Sequence, residues 1–230
     1  MKITWLGHSG FRIEIGGQVL LVDPFLTGNP KFPAERRAEA ITGATHLIVT
    51  HAHGDHSGDI VAISRELAIP VLGMFDLIAY WQKTEGIEGI GFNKGGTIDL
   101  GGVKVTMVNA VHSSTLPTAD GPRYLGTEAG YMIEGEGHVI YVSGDTDVMA
   151  DMKVMNDLHQ PDIGLLCAGG RYTMDMRRAA YAAKTFSNFK VLIPSHFGTF
   201  PGLAADASEL IAALPEVNVI EPKVLEAIEI

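Results

Sequence analysis

The chain has 230 residues, 46% of them hydrophobic and 19% charged, with 27 acidic against 17 basic side chains and a formal net charge of −10. That apolar fraction supports a sizeable core and excludes a disordered chain, which combines low hydrophobicity with dense charge. The acidic balance argues against sequence-independent nucleic-acid binding, which needs Lys and Arg to neutralise phosphates, and no run approaches the roughly 18 apolar residues of a membrane span.

Apolar runs at 3–6, 11–15 and 19–22 are separated by Gly7-His8-Ser9-Gly10 and by Gly16-Gly17. Short runs divided by glycine turns predict consecutive antiparallel strands. A polar loop then carries Asp23-Pro24 past residues 35–37, and 46–50 reads as a buried strand. Apolar positions at helical spacing predict helices over 57–67 and 75–83, with a strand at 71–72 between them. Strands return at 97–100, 103–110, 130–133 and 138–142. From there helices over 148–158, 175–186 and 205–214 alternate with strands at 163–166 and 191–194. Each half thus runs strands first and helix–strand pairs second, which predicts two similar α/β halves. No Pro/Gly/Ser-rich linker divides them, so residues 1–230 are expected to form a single domain, two sheets face to face with helices outside. Residues 113–129, with Pro117, Gly121, Pro122 and Gly126, show no periodicity, and loops of that length are often lids or binding loops.

Cys167 is the one cysteine and has no partner for an internal disulfide. The opening Met-Lys-Ile-Thr-Trp-Leu-Gly-His lacks an apolar core followed by a cleavage site, so a reducing cytoplasm is expected. Composition does not decide between a monomer and a homo-oligomer.

The chemistry concentrates after the strand at 46–50, in His51-Ala52-His53-Gly54-Asp55-His56. Neutral imidazole and carboxylate are the ligands divalent zinc takes where thiolate is missing. On an extended segment residues 51 and 53 point the same way, and Gly54 lets the chain turn so that Asp55 and His56 face a neighbouring position. The arrangement offers two ligands to one ion and two to a second. Further ligand-type residues close apolar strands: His112 after 103–111, Asp145 after 139–142 and His196 after 191–195. Strand ends are rigid places from which to present functional groups. His46, His138 and His159 are not read as ligands. Met149, Met152 and Met155 read as core packing and Cys167 as a small buried hydrophobe.

The order His51-x-His53-x-Asp55-His56, His112, Asp145, His196 resembles the metallo-β-lactamase superfamily. More narrowly, Trp5-Leu6-Gly7-His8-Ser9-Gly10-Phe11, Asp23-Pro24-Phe25, Ser143-Gly144-Asp145-Thr146 and Pro194-Ser195-His196-Phe197 resemble its branch of small metal-dependent hydrolases similar to the ascorbate-6-phosphate lactonases. The resemblance covers essentially the whole chain and implies a four-layer αββα sandwich with two divalent metal ions at the sheet edge. Zinc (Zn2+) is the expected metal, with manganese, nickel or iron as alternatives. It also implies that His51, His53 and His112 hold the first ion, that Asp55, His56 and His196 hold the second, and that Asp145 bridges them. Two such ions would activate a bridging water and polarise the attacked carbonyl or phosphoryl oxygen. Asp55 would also have a catalytic role, orienting that nucleophile. Superfamily members that reduce oxygen or nitric oxide with two irons carry Glu where this chain has His53, so imidazole there favours hydrolysis.

His8 is expected near the metal edge, either as a donor to substrate or in a structural hydrogen bond. Arg171 and Thr173, after Ala168-Gly169-Gly170, are candidates for binding an anionic substrate group, and Arg123 and Tyr124 are further pocket candidates. Asp23 is expected to prop the histidine loop rather than to ligate. The reading is therefore a metal-dependent hydrolase of a small-molecule ester, lactone or phosphodiester. Two alternatives are an RNA or nucleotide phosphodiesterase and a non-hydrolytic, iron-dependent oxidoreductase. Acidity and the short chain weigh against the first, and the missing flavin or nicotinamide fingerprint gives the second no support.

Overall fold

The computed structural model describes all of residues 1–230. The first part of the chain forms β1 (Lys2–Trp5), β2 (Phe11–Ile15), β3 (Gln18–Val22), β4 (His46–Ile48), β5 (Val71–Met74) and β6 (Gly89–Phe92). The second forms β7 (Thr97–Asp99), β8 (Lys104–Asn109), a short ribbon of β9 (Thr115–Leu116) with β10 (Arg123–Tyr124), then β11 (Ala129–Gly135) and β12 (His138–Val142). It continues through β13 (Ile163–Cys167), β14 (Val191–Ser195), β15 (Asn218–Val219) and β16 (Ala227–Glu229). The helices are α1 (Arg37–Ile41), α2 (Gly54–Ser57), α3 (Ile60–Leu67), α4 (Phe75–Glu85), α5 (Asp151–His159), α6 (Met176–Phe186) and α7 (Ser208–Ala213). None is long and apolar enough to cross a membrane.

The strands make two seven-stranded sheets, ordered β16-β1-β2-β3-β4-β5-β6 and β15-β14-β13-β12-β11-β8-β7. In the first, β1 to β3 are antiparallel and β3 to β6 parallel. In the second, β8, β11 and β12 are antiparallel and β12 to β15 parallel. The two halves therefore repeat one topology, strands first and helix–strand units second. The result is an αββα sandwich.

Local sequence explains which strands lie where. Every residue of Val71–Met74 and of Ile163–Cys167 is buried, as expected for parallel strands covered on both faces. In β2 the residues Phe11, Ile13 and Ile15 are buried while Arg12 and Glu14 are half-buried, the period-two pattern of a strand with one core face. The sheets meet directly: Tyr131 of β11 donates its hydroxyl to the Val49 carbonyl at 2.7 Å, and a Cβ on Gly135 would come within 3.0 Å of Ile15. One continuous cluster of 59 buried apolar residues runs through both sheets; each fully buried Leu, Ile or Val in it contributes roughly 1.5–3 kcal/mol.

Four sequence expectations change. The helix expected over 57–67 is broken, with α2 ending at Ser57 and α3 starting at Ile60. Between them the buried Asp59 carboxylate accepts hydrogen bonds from the amides of Leu26 and Thr27 and from the Thr27 hydroxyl, tying the helix start to the loop after β3. Strand β6 was hidden because Gly89 and Gly91 leave its pattern blank, and both are needed where Ile78 and Phe75 of α4 press on the strand. The region after Asp23, read as loop, contains α1, and residues 113–129 contain the β9–β10 ribbon.

Candidate metal centre

Strand direction gathers the functional residues. Because β1 and β3 both run antiparallel to β2, and β4 parallel to β3, the C-terminal ends of β1, β3 and β4 share one sheet edge. They deliver His8, Asp23 and the 51–56 turn. By the same argument β8, β12, β13 and β14 end together, delivering His112, Asp145, the loop from Ala168 and His196. The two edges are stitched to each other. The Trp5 indole N–H and the His196 amide both donate to the His8 carbonyl, at 2.8 and 2.9 Å, and the Trp5 ring stacks on Phe197 at 5.2 Å. His8, Asp23 and His196 all have left-handed backbones, with φ of 55°, 43° and 59°. Non-glycine residues hold that conformation at a cost of about 1–3 kcal/mol each, which the surrounding contacts must offset.

All seven residues expected as ligands come together. One nitrogen each of His51, His53 and His112 lie within 4.8 Å of one another, and so do one ligand atom each of Asp55, His56, His196 and His8. Asp145 stands between the groups. Its Oδ2 is 3.1 Å from His196 Nε2, 3.3 Å from His56 Nε2, 3.6 Å from His112 Nε2 and 4.0 Å from His51 Nε2.

A backing layer aims these rings. Asp23 accepts from the Thr50 amide at 2.8 Å, the Thr50 hydroxyl at 2.6 Å and His56 Nδ1 at 2.7 Å. The carboxylate acceptor holds a proton on His56 Nδ1, so that a cation could take the place of the second proton at Nε2. Asp23 also lies within 4.8 Å of His51 and His56 ring nitrogens, but both its oxygens are already engaged, so it serves better as a prop than as a ligand. His51 Nδ1 meets the Thr50 hydroxyl at 3.0 Å, the His112 amide donates to Glu128 at 3.0 Å, and the Ala52 amide donates to Ser114 at 3.2 Å. Of the two readings of His8, the structure shows the internal hydrogen bond. Its ring is 0% exposed, enclosed by Phe25 and Phe200, and its Nε2 bonds Asp55 Oδ2 at 3.1 Å.

The electrostatics call for cations. Burial lowers the pKa of His51 well below its ordinary value and that of His8 to about 4, keeping those rings neutral. At His56 burial opposes the charge, yet the carboxylates of Asp145 and Asp23 outweigh it and raise the pKa well above the usual range. Burial likewise pushes Asp145 up, while His56 and His196 draw it well down, so it is ionised. Without an ion the protonated His56 ring is the positive partner of buried Asp145, a place that a divalent cation could take over. In addition, buried His56 Nε2 and Asp145 Oδ1 find no hydrogen-bond partner in the protein. Nitrogen and carboxylate donors of this kind fit divalent ions of the zinc class.

A cavity of about 370 Å³ opens over the cluster, lined by His53, Asp55, His112, Asp145 and His196 together with Ser113, Tyr172 and Phe200. Arg171 and Thr173, expected as anion binders, do not line it. The Arg171 guanidinium lies over the Tyr172 ring at 5.3 Å, and the Thr173 hydroxyl donates to the Met174 carbonyl. Arg123 and Tyr124 sit on the exposed ribbon, with Arg123 over the Tyr80 ring at 5.5 Å. Tyr172, Phe200 and Ser113 were not singled out from sequence, although Tyr172 follows β13 at the ligand-bearing edge, a placement strand order makes readable. A hollow of about 450 Å³ lined by Asn156, Asp162 and Lys190 shares no residue with this cluster.

Comparison with known proteins agrees with this geometry. The beta-lactamase superfamily domain matches residues 2–196. The chain is 64% identical over 230 residues to a UPF0173 metal-dependent hydrolase of Dinoroseobacter shibae, covering 100% of both chains. It is 65% identical over 228 residues to a namesake of Paracoccus denitrificans, covering 99% of each. Among solved structures, a metallo hydrolase from the hyperthermophilic archaeon Ignicoccus hospitalis superposes with a TM-score of 0.86 at 30% identity, over 99% of this chain and 97% of that one. Identity at this level along the full length, on the same fold, makes the chain a member of the UPF0173 family of metal-dependent hydrolases within the beta-lactamase superfamily.

Proposed function

We propose that this hydrolase works with two divalent ions, zinc foremost, on a small ester, lactone or phosphodiester, as a single domain in the cytoplasm. His51, His53 and His112 would hold one ion, and Asp55, His56 and His196 the other, with Asp145 shared. The observation that carries the reading is Asp145: one buried carboxylate oxygen faces the Nε2 atoms of four histidines, and two of the four belong to each group. When bound, the ions supply Lewis acidity, polarising the attacked group and lowering the pKa of water.

The chain's own residues do the rest. Asp55 lines the cavity and is ionised at neutral pH; burial raises its pKa, but the His8 hydrogen bond and the neighbouring imidazoles hold it below the ordinary carboxylate range. It can therefore accept a hydrogen bond from the attacking water and orient it, while His8 keeps the carboxylate aimed. The ring of Phe200 shields one side of the cavity from bulk water, and its contact with buried His8 holds it in place.

The test is Asp145→Ala. Bound metal should fall from two ions per chain to one or none, and turnover should drop by about a thousandfold or more, the equivalent of roughly 4 kcal/mol of transition-state stabilisation. Unchanged metal content and turnover would overturn the reading.

A further inference from the structure

We propose that the substrate is an uncharged carboxylic ester or lactone bearing an alkyl or aromatic group, and not a phosphodiester or another anion. The inference rests on the hydrolytic reading above and narrows it. Its first ground is charge. No Lys or Arg lines the cavity, and Asp55 and Asp145 stand there as ligands, so beyond the ions themselves the wall presents no fixed positive charge. The guanidinium expected there, Arg171, does not line the cavity and lies over the Tyr172 ring at 5.3 Å. Beyond the ligand set, the polar groups offered at the cavity are the hydroxyls of Ser113 and Tyr172, both neutral. A phosphodiester carries a full charge before reaction, and beyond the ions this wall offers neither an Arg fork nor a Lys to its remaining oxygens. An ester carbonyl is neutral in the ground state and gains charge only in the transition state, where Lewis acidity meets it.

The second ground is shape. Phe200 forms an apolar wall, edge-on to the buried His8 ring at 5.1 Å and tilted against Phe25 at 6.2 Å. Tyr172 is 53% exposed although it lines the cavity, leaving an aromatic face for a ligand to cover. A volume of about 370 Å³ sits near the lower end for small-molecule pockets and suits a compact substrate. In the reaction, the water oxygen bonds the acyl carbon and the acyl–oxygen bond breaks. One water proton leaves on the departing alcohol and the other on the carboxylic acid, which ionises at neutral pH; nothing is oxidised or reduced.

The experiment uses the metal-loaded full chain with 4-nitrophenyl butyrate and with bis(4-nitrophenyl) phosphate, taking the rate of Asp145→Ala as background. KM for the ester should be at least about tenfold lower than for the diester. Tyr172→Ala should raise the ester KM about tenfold with bound metal unchanged, a loss typical of a missing apolar contact, and Tyr172→Phe should restore it. A lower KM for the diester, or an ester KM indifferent to Tyr172→Ala, overturns the substrate class while leaving the two-ion reading intact. If the chain holds its ions and hydrolyses neither compound above background, the hydrolytic reading itself falls.

Discussion

Asp55 reaches the cavity with its Oδ2 bonded to a histidine that no solvent touches. His8→Ala removes that partner and should weaken the ion held by Asp55, His56 and His196 by about 10–100-fold, as loss of a ligand's supporting hydrogen bond does. Chelator titration should then strip one ion early and leave the other; equal retention of both would reduce His8 to packing. Cys167 makes a different prediction. Burial pushes its thiol up to about 12 from an ordinary 9. A raised folded pKa means that the neutral thiol's contribution to stability is complete below 9 and is lost as the pH climbs toward 12. Folded protein should therefore resist iodoacetamide at pH 8, and unfolded protein should react. The clustered histidines and carboxylates were legible because their spacing in 51–56 and their places just past apolar strands are informative. Tyr172 and Phe200 were not, because an aromatic residue looks alike in sequence whether it faces a core or a cavity. His8 stayed undecided for a related reason: its neighbourhood was legible, but whether its ring turned inward depended on Phe25 and Phe200 from distant loops.

Elements carry their own constraints. After β13 the chain passes so close to β14 that a Cβ on Gly169 would overlap the His196 carbonyl oxygen. Gly169→Ala should destabilise the fold by about 1–3 kcal/mol, the usual cost of overpacking, and should also lower metal content by displacing His196. Wild-type-like melting and metal binding would remove that constraint. At the opposite end of the second sheet, Asp162 accepts from the Val139 amide at 3.0 Å and His138 Nδ1 at 2.8 Å. Burial raises its pKa, but these two partners more than reverse the effect and hold it below the ordinary 3.8. A depressed folded pKa places its contribution above the unfolded value, with loss as pH falls through the folded one. Asp162→Ala should cost roughly 1–3 kcal/mol at pH 7, and denaturation curves of the two proteins should converge in acid. Hydrophobic period identified most strands, since Val71–Met74 and Ile163–Cys167 announce themselves. The period failed where glycine emptied β6 and where Asp59 cut one helix in two, both settled by contacts with distant parts of the chain.

On the scale of the molecule, the repeated topology turns two similar sheets so that equivalent strand ends face one another, and the ligands come from both. Ions bound at that junction, as proposed, would tie the halves together, so their removal should loosen the whole. Binding at a free-ion concentration 100 times the Kd stabilises by about 2.7 kcal/mol, which for a chain of this size is roughly 5–10 °C in Tm. Chelation should lower the Tm by that amount and re-addition of zinc should restore it. The repeated topology was readable from element order without any repeat in the residues, because the succession of strand and helix periods carries it. The most direct measurement is anomalous X-ray scattering at the zinc edge from crystals of the zinc-loaded protein. Two peaks are expected, one among His51, His53 and His112 and one among Asp55, His56 and His196, with Asp145 between them. A single peak, or zinc bound elsewhere, would contradict the two-ion centre.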